Sequence, residues 1–155
     1  MTQHKLYFAY GANLNREGMA YRCPDAVPYQ KYTLRGWRLD FAHHATIVPH
    51  PGRSVEGALW KITEDCEFSL DRFEGYPSYY SKRILAQDGR EFMVYVMNPP
   101  LIGSPGVGYL DVIEQGYRDW NLDFDCLDRA VDQLTINPYN TLYAETSAPN
   151  IETTY

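Results

Sequence analysis

Residues 7–19 read YFAYGANLNREGM, an aromatic run that ends in a glycine, a small residue and an asparagine before a polar stretch. The aromatic part, Lys5–Tyr10, is short and bounded by Gly11, which predicts a buried strand. Asn13 or Asn15 has the side chain to cap a short helix running to about Arg22, and Pro24 ends it. The exit through Tyr10-Gly11-Ala12-Asn13-Leu14 admits two readings. Gly and Asn tolerate positive φ, so the bend reads as a turn and nothing more. A glycine-bearing bend that feeds a helix also aims several unpaired backbone N–H groups at one point, which suits an anion.

Working outward, Tyr32–Ala42 alternates as a strand, with Arg35, Trp37, Leu39 and Phe41 on the expected inner face and Gly36 marking a bulge. VPHPGRS, Val48–Ser54, is turn chemistry, and Val55–Ile62 is the next strand. Thr63 stands where an N-cap should, with Glu64 and Asp65 favouring the positive end of a helix. That helix runs from Glu64 to about Phe73, places Cys66, Leu70 and Phe73 on one face, and stops at Gly75 and Pro77. Ser81–Leu85 and Phe92–Met97 form a hairpin around Asp88-Gly89, and Asn98–Gly108 is an irregular loop. Tyr109, Val112 and Trp120 keep helical period, Cys126–Leu134 gives a second helix, and the stretch from Pro138 shows no pattern. Strands joined partly by helices and partly by hairpins define an α+β class, and glycines within strands favour a curled sheet or small barrel. The pattern predicts one domain over residues 1–135 and a C-terminal tail over 136–155.

Bulk properties narrow the function. The net charge of −6 comes with scattered basic residues, which argues against a nucleic-acid partner, since that affinity rests on neutralising phosphates. No apolar run approaches the ~20 residues that span a bilayer, and the polar start Met1–Lys5 does not read as a signal peptide. Cys23, Cys66 and Cys126 are odd in number and widely spaced, so the chain reads as cytoplasmic with reduced thiols.

The second informative stretch is LDRFEGYPSYYSKR, Leu70–Arg83. Glu74 falls in the last helical turn, where the negative end of the dipole disfavours a carboxylate. It also stands among Phe73, Tyr76, Tyr79 and Tyr80, and burial there penalises the charged form. Both effects raise the pKa towards the range where one carboxyl group takes and returns a proton near neutrality. The bland reading is a solvated Glu74, or one paired with Arg72 or Lys82.

Tyr10-Gly11-Ala12-Asn13-Leu14, then Met19 and Arg22-Cys23-Pro24, Val55-Glu56-Gly57-Ala58-Leu59, and Leu70-Asp71-Arg72-Phe73-Glu74-Gly75-Tyr76 resemble the γ-glutamylcyclotransferase family in order and spacing. The resemblance runs from about Lys5 to Leu127. It implies a small mixed β-barrel with flanking helices, and release of 5-oxoproline from a γ-glutamyl compound without metal or nucleotide. It also implies that the loop Tyr10–Leu14 holds the glutamyl group, that Glu74 is the catalytic acid and base, and that Tyr80 and Tyr109 line the pocket. Tyr79 takes the place of Tyr80 if the turn is registered differently. The family usually carries serine where this chain has Ala12, so a hydroxyl contact is lost while the backbone donors remain. The alternatives are a relative acting on γ-glutamyl amines or a γ-glutamyl-protected metabolite, and a binding module without turnover.

Other constellations carry less. His43 and His44 point to opposite faces if they lie on a strand, so with His50 they make no metal site. Cys66 reads as core, and Cys23 has no evident histidine partner for thiol chemistry. GSPGVG, Gly103–Gly108, lacks the lysine and context of a phosphate loop. Asp71 and Glu74, one turn apart, read as a helix face rather than a glycosidase pair.

Overall fold

The buried strand at the N-terminus becomes the middle of the sheet. In a computed structural model, which describes residues 3–136, strand β1 (Lys5–Ala9) pairs antiparallel with β3 (Ala45–Ile62) from Lys5 opposite Ile62 to Ala9 opposite Ala58. On its other side it runs parallel to β5 (Arg90–Met97), with Tyr7 opposite Met93. A strand with neighbours on both sides and cover on both faces has no polar face, and Tyr7, Phe8 and Ala9 are all buried. Strand β2 (Val27–Phe41) and β4 (Tyr80–Gln87) occupy the edges, giving the order β2-β3-β1-β5-β4.

Two expectations about β2 and β3 change. The register slips between Arg35 and Trp37, at Gly36 (φ +86°), and the bulge switches which parity faces inward. Leu34 is buried before it and Leu39 and Phe41 after it, so Arg35, expected inside, is exposed. The turn-like Val48–Ser54 lies within β3: Pro49 pairs with Trp37 and Ser54 with Arg35, and His50–Arg53 bulge out between them. The reversal between the two strands falls instead at 42–44, so His43 and His44 sit in a bend and not on a strand.

The expected barrel is an open five-stranded sheet whose curl brings its edges together at one end. There Gln87 bridges β4 to β2. Its Nε2 donates to the Thr33 carbonyl (2.9 Å) and to the Tyr32 hydroxyl (2.7 Å), and its Oε1 accepts from the Arg35 amide (2.9 Å). A side-chain amide thus takes the place of a main-chain ladder. The hairpin turn at Asp88-Gly89 follows directly, with Gln87 opposite Arg90.

A short 3-10 turn (Ala12–Leu14) leads from β1 into helix α1 (Arg16–Arg22). Asn15 is the cap that forms, accepting from the Gly18 amide at 2.9 Å, which leaves Asn13 to turn inward. Helix α2 (Glu64–Glu74) begins on Thr63, whose hydroxyl accepts the Cys66 amide at 3.1 Å, and ends on Gly75 in the left-handed conformation (φ 67°). Cys66 and Leu70 enter the core as expected, whereas Phe73 is 40% exposed. Helices α3 (Val107–Asp119) and α4 (Asp125–Ile136) cover the other end of the chain, α3 starting inside the stretch expected to be loop. The tail expected from 136 lies, after its first residue, outside the described residues.

Helix α3 fixes the loop after β1 through a close approach. A Cβ on Gly116 would stand 2.6 Å from Leu14 Cβ and 2.9 Å from the Asn15 nitrogen, so only glycine lets helix and loop touch. Because the obstacle is partly backbone, it cannot rotate away. Gly116→Ala should therefore cost about 1–3 kcal/mol by overpacking, seen as a lower urea midpoint. An unchanged midpoint would show that the α3–loop contact is slack.

Candidate active site

The loop after β1 is held from behind by two indoles. Trp60 Nε1 donates to the Asn13 carbonyl (3.1 Å) and Trp120 Nε1 to the Leu14 carbonyl (2.8 Å). The two rings meet edge to face with centroids 5.4 Å apart. In a helical turn the carbonyls point one way and the leading N–H groups the other. The tryptophans engage the carbonyl end, so the amides of Ala12 and Asn13 lead at the opposite end. The Leu14 amide is taken by the Gly11 carbonyl at 3.0 Å, and the Leu14 side chain is fully buried, so Leu14 anchors the loop from the core side. Gly11 does not use positive φ; its φ is −129°. It is small because a Cβ there would press on Ala45 Cβ at 3.2 Å and come within 3.6 Å of the Tyr109 hydroxyl.

Asn13 is the most heavily bonded side chain of the loop. Its Nδ2 donates to the Tyr7 hydroxyl (3.0 Å), and its Oδ1 accepts from Arg22 Nε (3.0 Å) and Nη2 (2.7 Å). Arg22 also lies 4.0 Å over the ring of Phe73, which ties the end of α1 to the last turn of α2.

That last turn carries Glu74 into a small cavity of about 20 Å³. Gly11, Ala12, Asn13 and Ala45 line it. The rest of the lining is tyrosine: Tyr7, Tyr10, Tyr80, Tyr95 and Tyr109. Burial pushes the Glu74 carboxyl from 4.5 up to about 8, and the positive charge of Arg22 only partly opposes this. The partners proposed by the bland reading are engaged elsewhere or turned away. Lys82 pairs with Glu67 (2.7 Å) and Asp71 (3.0 Å), and Arg72 is exposed.

Three of the five tyrosine hydroxyls share one polarity. Tyr10 donates to the Tyr95 carbonyl (2.7 Å), Tyr80 to the Ala45 carbonyl, and Tyr95 to Asp71 Oδ1 (2.6 Å). Each sends its proton into the protein and leaves its oxygen as an acceptor. Tyr109 accepts the Ala45 amide at 2.8 Å. Burial holds the hydroxyls of Tyr7, Tyr10 and Tyr80 well above the usual tyrosine range, so they remain neutral.

Beside it lies a second, outer chamber of about 90 Å³, which shares Ala12, Glu74, Tyr80 and Tyr109 with it and adds His44, Phe73 and Tyr79. Both tyrosine registers are therefore used, Tyr80 in both chambers and Tyr79 in the outer one. The structure thus gathers Tyr10, Gly11, Ala12, Asn13, Glu74, Tyr80 and Tyr109 around one cavity. Tyr7, Ala45 and Tyr95 were not singled out from sequence, and Arg22 only as part of the family resemblance, without a role in the site. A hydroxyl in the apolar runs 6–9 and 92–97 was the available signal for Tyr7 and Tyr95. Cys23 is buried, which pushes its thiol up to about 12, and it stands apart from this cavity. Among the described residues no helix is long and apolar enough to cross a membrane.

The family model described as gamma-glutamyl cyclotransferase, AIG2-like matches residues 7–122. The chain is 30% identical to gamma-glutamylcyclotransferase of Bos taurus over 158 residues, spanning 90% of this chain and 84% of that one. It is 30% identical to gamma-glutamylcyclotransferase of Homo sapiens over 138 residues, spanning 77% and 73%. A solved structure of a gamma-glutamyl cyclotransferase superimposes with a TM-score of 0.71 at 28% identity, covering 83% of this chain and 86% of the other. The chain belongs to the gamma-glutamyl cyclotransferase, AIG2-like family. It is an enzyme of that type.

The raised carboxyl has a consequence for stability. With a folded pKa of about 8 against 4.5 when unfolded, Glu74 binds more proton in the native state between those values, so stability falls as pH rises through that window. Glu74→Gln removes this contribution. Urea unfolding at pH about 5 and about 8 should show a larger loss of stability with pH in the wild type than in the variant. Equal losses would place the folded pKa at an ordinary value.

Proposed function

We propose that the enzyme cyclises a γ-glutamyl compound, releasing 5-oxoproline and a free amine, with Glu74 as base and then acid. The observation that carries this reading is the position of Glu74, a carboxyl group among the residues that both chambers share, which burial pushes up to about 8. A γ-glutamyl group brings an α-carboxylate, an α-ammonium and a γ-carbonyl. The leading amides of the turn at Ala12 and Asn13 suit the carboxylate, and the tyrosine oxygens with Glu74 suit the ammonium.

The ionised Glu74 takes a proton from the α-ammonium. The free amine attacks the γ-carbonyl carbon, forming the C–N bond of the five-membered ring. As the tetrahedral species collapses, the C–N bond to the departing amine breaks; Glu74 returns its proton to that nitrogen, and the ring nitrogen gives up its second proton, which leaves with the amine as its ammonium. The net step consumes no water and needs no second substrate. A pKa near the working pH serves both transfers. Enclosure by the tyrosine wall and the clamped loop holds amine and carbonyl in contact, which supplies much of the rate of a ring closure.

The test is a panel of γ-glutamyl dipeptides and amides, with 5-oxoproline read by mass spectrometry. Wild-type enzyme should release it from at least one compound, and Glu74→Gln should lower turnover on that compound by ~10²-fold or more with the fold intact. The same compound with its α-carboxylate amidated should lose at least about tenfold in kcat/KM, compared across pH because amidation also lowers the amine pKa. Silence across the panel, or a Gln variant within a few-fold of wild type, overturns the assignment.

A further inference from the structure

The cyclisation reading, on which this inference rests, leaves the departing amine unspecified, and the outer chamber has chemistry of its own. We propose that this chamber is the leaving-group subsite and that it selects γ-glutamyl amides of aromatic, carboxylate-free amines.

Position comes first. The two chambers share Glu74, Ala12, Tyr80 and Tyr109, so a group bonded to the γ-carbonyl extends past Glu74 into the outer one. The carboxyl that must protonate the departing nitrogen therefore lies at the boundary between them.

The walls come second. What the outer chamber adds is three rings: His44, Phe73 and Tyr79. His44 Nδ1 and the Tyr79 hydroxyl are 2.8 Å apart, and their rings meet at 85° with centroids 5.6 Å apart. His44 also stands edge-on to Tyr109 at 4.9 Å. These contacts fix the rings as a preformed wall, which lowers the entropy cost of seating a flat apolar group. Phe73 and Tyr79 remain 40% and 38% exposed, so apolar area is available to be covered.

Charge comes third. Among the described residues no lysine or arginine lines this chamber. Arg22 covers a face of Phe73 but spends its Nε and Nη2 on Asn13. Burial, with His43 beside it, lowers the pKa of His44 and disfavours its cationic form. Glu74, by contrast, must be anionic at the start of each turnover. A carboxylate on the departing amine would find no cation here and would face that anion. The loop 98–106 adds no charge at its contact with the bend: Gly103 packs so closely on His43 that a Cβ would stand 2.4 Å from the imidazole, and the neighbouring Leu101 and Ile102 are exposed and apolar.

The test compares γ-glutamyl phenethylamide, γ-glutamyl methylamide and γ-glutamylphenylalanine. The first two differ in the ring and the first and third in the carboxylate. Wild-type kcat/KM for the phenethylamide should exceed each of the others by about tenfold or more. Phe73→Ala, at a partly exposed position, should shrink the phenethylamide-to-methylamide ratio several-fold, mainly through KM. If the methylamide or the dipeptide reacts as well as the phenethylamide, or if Phe73→Ala leaves the ratio unchanged, the subsite is wrongly assigned. If these three are inert while another γ-glutamyl compound yields 5-oxoproline, this inference alone falls. If no γ-glutamyl compound does, the cyclisation reading falls with it.

Discussion

Two indole N–H groups, from Trp60 and Trp120, hold the carbonyls of consecutive residues in the loop after β1. Without them the carbonyl end of the turn would be buried unsatisfied, at a cost of about 1–3 kcal/mol for each group. With them, the leading amides of Ala12 and Asn13 lie at the opposite end, beside the cavity. The clamp also joins distant parts of the chain, since Trp60 belongs to β3 and Trp120 caps α3. Gly116 lets α3 come close enough for this contact, and Gly11 lets the loop lie against Ala45.

The second constraint is a separation of charges along α2. One face carries Glu67 and Asp71, which meet Lys82 and, through Glu67, Lys5. The last residue, Glu74, is turned away from those lysines and into a wall of tyrosine. Had Lys82 reached Glu74, the carboxyl would sit at a low pKa and could not return a proton near neutrality. Asp71 takes part in both worlds, because its second oxygen accepts the Tyr95 hydroxyl at 2.6 Å. The outer ion pairs thus position a ring of the cavity, while Arg22 restrains Glu74 from a distance through its charge.

Much of this was legible in the sequence because it is local. The Thr63 cap, the Gly75 stop and the Asp88-Gly89 turn are each set by a few adjacent residues, and each forms as read. Glu74 was legible too, since the helix end and its aromatic neighbours lie within a few positions. What failed was long-range. The bulge at Gly36 was anticipated, but its effect was not: Gly36 alone faces His50–Arg53 of β3, the inward parity swaps across it, and Arg35 is left outward. Of the turn residues Val48–Ser54, His50–Arg53 bulge inside a strand because β2 continues to pair on both sides of them. The sheet is curled as its glycines suggested, but the bridge between its edges is made by Gln87, a residue without any pattern to mark it. The tryptophan clamp joins residues 47 and 106 positions apart, which no local spacing encodes.

Every part of the chemical account passes through the ionisation of Glu74, and that ionisation is directly observable. Carbon-13 NMR of the glutamate side-chain carboxyls, with the Glu74 resonance assigned by its absence in Glu74→Gln, follows the group through a pH titration. The account predicts a midpoint near 8. A midpoint near the ordinary 4.5 would mean that the tyrosine wall does not desolvate the carboxyl, and would contradict the role given to it.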